Sequence, residues 1–327
     1  MSPEKVGGFF AYPSVPASCG ETIRHAADII NSQGITSVQT WEQCRVGGKL
    51  VVDEICKAID RRELFCADLT GMNANVMFEL GYAIATNKRI WLLLDPTHID
   101  SKAQFEQLRV LTTVGYATYC NSGELIGRFN YDQPYSDLEA TLYNQAIKRN
   151  LPQVALTENR VLYLKCLHET EASTRVTNAI ARLTKLGVPV VVDDPKESAA
   201  QSLTWYGTQV YSSTSVVCHL TGPNRVNARL HDARNSLVAG MALGMGKMLL
   251  MLVEGDFLAP MDYRDLLFQY KTAAEAERRV GELIQRIEET YHETAEIRLE
   301  HAKHEKLVTE LKGVLLPTNL DSQGLVF

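Results

Sequence analysis

Two hydrophobic periods alternate along the first half of the chain. Short apolar runs at Gly8–Tyr12, Thr36–Thr40, Leu64–Ala67, Ile90–Leu94 and Tyr116–Tyr119 predict strands. Stripes at helical spacing between them predict helices over Glu21–Ser32, Leu50–Asp60, Asn75–Asn87 and Asp137–Arg149. The second half repeats the alternation, with strands at Val161–Lys165, Val188–Val192, Ser215–Leu220 and Met248–Val253, and helices over Ala172–Leu186, Ser198–Tyr206 and Asn235–Met245. Strands alternating with helices of this length build βαβ units. The nearly continuous apolar runs are those of strands covered on both faces. The fold class is therefore α/β, with two doubly wound parallel sheets in tandem followed by a long C-terminal helix. The expected boundaries are a first domain at 1–150, a second α/β domain at 151–271, and a helix and tail at 272–327. The polar, Pro152-containing segment Leu151–Asn159 marks the first junction.

The halves look duplicated. Asp68-Leu-Thr-Gly returns as His219-Leu-Thr-Gly 151 positions later, and Gly81, Ala83 and Lys88 return as Gly240, Ala242 and Lys247 159 positions later. The extra residues fall in the loop Pro223–Asp232. The mismatches carry more information than the matches. Glu79 falls opposite Val238, Asp68 opposite His219 and Asn75 opposite Arg234, so only the first half keeps an acidic pair.

From Thr272 to Lys312 the chain is rich in Glu, Arg, Lys, Ala and Leu, and its one Gly is Gly281. Val280, Leu283, Ile284, Ile287 and Tyr291 form one apolar stripe, beyond which charge dominates. A helix of ~40 residues would extend ~60 Å, too far to lie on one small domain. It reads either as an arm that projects into solvent or as a surface for a homo-oligomer or a protein partner through residues 272–312. His301 and His304 share a face but sit among charges, and no metal is expected.

Composition narrows the partners. A net charge of −6 supplies no basic field to gather nucleic acid. No apolar run reaches the ~20 residues of a bilayer span. The seven cysteines are scattered, with no CxxC pair, and read as reduced thiols of a cytoplasmic protein.

The candidate chemistry concentrates at residues 66–83, where a strand ends at Asp68, a turn carries Asn73 and Asn75, and a helix brings Glu79 in its first turns. In open α/β sheets ligands bind at such strand ends. Glu79 lies ~60° from Val76, at the margin of the apolar face. The plainer reading makes it a helix-capping carboxylate. Two further loops leave the sheet at the same edge. Tyr12 is placed to stack on a base or sugar and Ser14 to touch phosphate, while Trp41 and Arg45 follow the second strand, Arg45 as an anion ligand. Neither a GxGxxG nor a P-loop is present. In the second half Asn224, Arg225, Asn227, Arg229, His231, Arg234 and Asn235 crowd one loop and helix start, either as a phosphate-binding surface or as a solvated loop.

The run Asp68-Leu-Thr-Gly-Met-Asn-Ala-Asn-Val-Met-Phe-Glu-Leu-Gly-Tyr-Ala resembles the signature of nucleoside 2-deoxyribosyltransferase-like and TIR-like nucleotide-binding proteins. The resemblance covers roughly Gly7 to Leu94. It implies flavodoxin-like (Rossmann-like) sheets and cleavage of a base–sugar N-glycosidic bond by a hydrolase or transferase. Glu79 would be the catalytic carboxylate, with Asp68, Asn73 and Asn75 holding ribose or base. Many TIR-like relatives hydrolyse NAD as effectors of bacterial anti-phage defence, while others only bind nucleotides. The second half has no counterpart in the simple transferases.

The residues suit this chemistry. An oxocarbenium-like sugar is stabilised or trapped by one carboxylate on its face. The nicotinamide of NAD leaves without a general acid, whereas a neutral base needs a proton, which Asp68 supplies if its pKa is raised. The expected substrate is therefore NAD or a related nucleotide or nucleoside, with no separate cofactor. The competing readings are a nucleotide sensor that signals to a partner without catalysis, and an assembly scaffold built on the C-terminal helix.

Overall fold

The computed structural model describes residues 5–151, 160–197, 200–222, 224–255 and 263–290. It is an α/β protein with two five-stranded, all-parallel sheets. The first contains β1 (Val6–Ala11), β2 (Thr36–Thr40), β3 (Leu64–Asp68), β4 (Arg89–Leu94) and β5 (Ala117–Thr118) in the order β2-β1-β3-β4-β5. The second contains β6 (Val161–Leu164), β7 (Val190–Asp193), β8 (Ser215–His219), β9 (Met248–Glu254) and β10 (Leu267–Tyr270) in the order β7-β6-β8-β9-β10. The two orders are the same when each sheet is counted from its own first strand. Each places its topological switch point between the first and third strands, where loops diverge and leave a crevice.

In the first sheet, α1 (Ala17–Ser32) and α5 (Ser122–Asp132) cover one face, and α2 (Val51–Asp60) and α3 (Ala74–Ala85) the other. The buried positions of α1, Ile23, Ala26, Ala27 and Ile30, recur at helical spacing and pack with Phe10, Leu93 and Phe129. The second half carries α6 (Glu171–Lys185), α7 (Leu203–Ser212) and α8 (Ala228–Gly244), with residues 273–280 helical beside α6, where Glu277 pairs with Arg175 and Arg182.

α3 and α8 meet between the two sheets, and one hydrophobic core runs through Phe65, Phe78 and Leu80 to Leu237, Val238 and Met251. Met1–Val280 accordingly forms one compact unit. Gly81 and Gly240 set the approach. A Cβ on Gly81 would stand 1.9 Å from the Leu237 carbonyl oxygen, and one on Gly240 1.9 Å from the Phe78 carbonyl oxygen. A third close approach joins Gly244 to Ala85. Residue numbers rise together along these contacts, so the two helices run parallel. Both sheets therefore present their carboxyl edges at the same end of the unit.

Several observed elements differ from those predicted. The helix expected over Asp137–Arg149 is instead irregular chain with a π-turn at Tyr143–Ile147 and a 3-10 turn at Lys148–Asn150. α4 (Ser101–Leu108), α5 and β10 have no counterpart among the predicted elements. The α5 sequence holds Gly123 and Gly127, which weaken its helical signal, yet Asn121 caps it by accepting the Glu124 N–H. α8 begins seven residues before the predicted start at Asn235. In the second unit, Gly281–Phe327, residues 281–290 are helical. The junction at 152–159, His301, His304, and most of the segment assigned to partners (291–312) lie outside the described residues.

Candidate functional site

Each predicted site residue of the first half stands at or just below the carboxyl edge of the first sheet. Asp68 ends β3 and is fully buried. Its Oδ1 accepts the Thr70 N–H at 2.8 Å, and its Oδ2 accepts the Tyr119 hydroxyl at 2.6 Å. Burial pushes the carboxyl above its ordinary range, and these two hydrogen bonds pull against that shift. Tyr119 follows β5 and is absent from the residues picked out by sequence. A signal was available, because Tyr119 and Tyr270 are separated by the same 151 positions as Asp68 and His219.

Tyr12 follows β1 and Trp41 follows β2, with ring centroids 6.0 Å apart. The Tyr12 hydroxyl is buried with no partner in hydrogen-bonding geometry, although Thr40 and Glu42 lie near it. Desolvation raises its pKa to about 12. The Trp41 Nε1–H and the Asn75 Oδ1 are likewise buried without partners. Three polar atoms at one sheet edge thus carry the cost of burial uncompensated, roughly 1–3 kcal/mol each. Ser14 and Arg45 are exposed on the loops of the same edge. Arg45 makes no ion pair among the described residues.

Asn73 is engaged locally. As N-cap of α3 it accepts the N–H groups of Asn75 and Val76 at 2.9 and 3.3 Å. This satisfies orphan donors of the helix start and leaves the side chain less to offer a ligand. Glu79 is only 3% exposed. It lies five residues into α3, ~7.5 Å below the sheet edge, on the side away from α8. There it borders a narrow slot with Val52, Ile55, Cys56, Ile59, Phe78 and Tyr82. Burial pushes the neighbouring Cys56 thiol up to about 12, with the Asp60 and Glu79 charges adding to the shift. A carboxylate in such a setting is preorganised to meet positive charge, because little water competes with it.

The corresponding edge of the second half is filled by its own side chains. His219 occupies the place of Asp68 and Tyr270 that of Tyr119, joined through Nε2 and Oη at 2.7 Å. Nδ1 of His219 lies 3.4 Å from the Tyr163 hydroxyl. The His231 Nε2–H donates to the His219 carbonyl at 3.2 Å, and its Nδ1 accepts from Arg234 at 3.3 Å. Desolvation lowers His219 to about 3 and His231 to about 4, so both rings are neutral at pH 7. Asp232 accepts the Thr221 N–H, and burial raises its carboxyl to about 8. His231, Arg234 and Asn235 are therefore interior residues of α8 and not part of a phosphate-binding loop. The early start of α8 is the cause for His231 and Arg234, since it turns the expected loop before Asn235 into a helix that is buried almost all round. Arg225 pairs with Glu254 at 3.0 Å. Arg229 reaches the first half, lying against Gly71.

The fold defines a tandem α/β protein whose two equivalent strand ends differ in chemistry, Asp68 with Tyr119 in the first half and His219 with Tyr270 in the second. The chain matches no protein-family model, and a search of curated proteins finds no match. Among the described residues, no helix is long and apolar enough to cross a membrane.

Proposed function

We propose that the first half binds a nucleotide or nucleoside at the switch point between β1 and β3 and cleaves its N-glycosidic bond, with NAD as the favoured substrate. The observation that supports this reading is the set of buried atoms without partners, Tyr12 Oη, Trp41 Nε1 and Asn75 Oδ1, on the segments that follow β1, β2 and β3, the strand that ends at Asp68. A ligand with donors and acceptors on a planar base and a sugar satisfies all three. Tyr12 and Trp41 frame the base, Asn75 and Asp68 hold ribose, and Glu79 stabilises the sugar cation as the base leaves. For a neutral base, Asp68, whose carboxyl burial pushes above its ordinary range, is the candidate proton donor. By the same resemblance, the activity would act in defence against phage, with residues 272–312 serving self-association.

The test follows base release from NAD and from nucleosides by chromatography, for the wild type, Glu79→Gln and Asp68→Asn. Equal turnover in Glu79→Gln and wild type would remove Glu79 from the mechanism. One observation favours a second reading, binding without cleavage: Glu79 sits below the edge in an apolar slot that faces α2. Saturable nucleotide binding with no base release under any condition would establish that reading instead.

A further inference from the structure

α8 departs from the internal symmetry at its start. In the register that matches Gly81 to Gly240, the first residue of α3, Ala74, corresponds to Ala233, yet α8 begins at Ala228. The five added residues make an extra turn and a half, ~7.5 Å of helix. Because α3 and α8 run parallel, this extra length projects past the start of α3 toward the Asp68–Asn73 turn. It carries Arg229.

A Cβ on Gly71 would lie 2.8 Å from Nη2 of Arg229 and 3.9 Å from the His98 ring. Gly71 has φ +70°, a left-handed conformation that only glycine adopts without strain. The turn is thus shaped to let a guanidinium rest on its backbone. Arg229 is exposed and has no ion-pair partner among the described residues, whereas nearby Arg225 is paired with Glu254. An unpaired cation held over a ligand-binding edge is a geometric anion site, and the planar fork of arginine suits a phosphate. Tyr12, which follows β1 at the same edge, is only 3% exposed, with its hydroxyl near Thr40 and Glu42.

We propose that the second half completes the first half's site, with Arg229 holding the phosphate-bearing part of the ligand, so that the ligand is a phosphorylated nucleotide and not a free nucleoside. This rests on the reading of the first sheet's edge as a nucleotide site, and it assigns the otherwise internally occupied second half a positioning role.

The test uses the full chain and calorimetric titration with inorganic pyrophosphate, ADP-ribose and adenosine, for the wild type, Arg229→Ala and Arg229→Lys. Arg229→Ala is expected to weaken pyrophosphate and ADP-ribose ten-fold or more and to leave adenosine unchanged, with Arg229→Lys intermediate. Pyrophosphate that binds Arg229→Ala as tightly as wild type, or binds neither, overturns the inference. Its failure is separable from that of the cleavage reading. Pyrophosphate binding that depends on Arg229 without base release from any substrate keeps the anion site and refutes cleavage. NAD turnover with unchanged kcat and KM in Arg229→Ala keeps cleavage and refutes the role of Arg229.

Discussion

Gly81 and Gly240 occupy the same place in the two halves and make the same contact in reverse. Gly81 closes on Leu237 and Met241, and Gly240 closes on Phe78 and Tyr82. Phe78 and Leu237, like Tyr82 and Met241, are themselves separated by the 159 positions that relate the glycines. The pair is a pseudo-twofold contact inside one chain, where helices lie backbone against backbone.

An added methyl has nowhere to go at this crossing, because the obstructing atoms are main chain and cannot change rotamer. Gly81→Ala is expected to destabilise by about 3 kcal/mol, at the upper end of overpacking effects. Gly240→Ala should cost a similar amount, and the double variant less than the sum, since one separation of the helices relieves both clashes. Urea unfolding of the three variants checks this, and full additivity would contradict a shared contact.

Tyr12 offers a cleaner separation of binding from stability. Its hydroxyl is buried without a partner, so Tyr12→Phe should leave the ligand-free protein as stable as wild type or more stable, by up to ~1 kcal/mol. The same variant should weaken nucleotide binding, because the group the hydroxyl awaits is then unsatisfied. Melting temperature and affinity moving in opposite directions is the expected outcome, and unchanged affinity would exclude Tyr12 from the site.

Asn73 should behave in the opposite way. Loss of its two N-cap hydrogen bonds in Asn73→Ala is expected to cost about 1 kcal/mol of stability. Ligand affinity should stay unchanged. A large loss of affinity at constant melting temperature would return Asn73 to the substrate contacts that sequence resemblance implied for it.

The buried Asp232 gives a pH dependence with a definite sign. Its pKa is raised from the ordinary carboxyl range to about 8, so the stability it contributes is fully present below about pH 4 and is lost as pH rises toward 8. Asp232→Asn keeps an oxygen for the Thr221 N–H and removes the ionisation. The variant should therefore gain on wild type between those limits and level off above pH 8. His219 and His231, depressed to about 3 and 4, work the other way. Their contribution is present above about pH 6.5 and is lost on acidification. Urea midpoints measured across this range check both slopes.

The sequence by itself determined the alternation of strands and helices, the parallel character of both sheets, the duplication, and the concentration of polar groups after Leu64–Asp68. These are local properties, because apolar period reports how a segment is covered and a strand end followed by a polar turn reports where chain leaves a sheet. Covering partners are not written into any one segment. The contact of α3 with α8 depends on two glycines in different halves, and it alone places both carboxyl edges at one end. The fate of His231 and Arg234 depended on where α8 starts, which moved them from an expected loop into the interior. Tyr119 reached Asp68 across 51 residues, and Arg229 reached Gly71 across the whole junction between the halves. Asn73 and Asn75 look equivalent in sequence, yet one caps a helix and the other keeps an unpartnered oxygen. Side-chain partners are settled by packing between distant segments, and only the tertiary structure decides them.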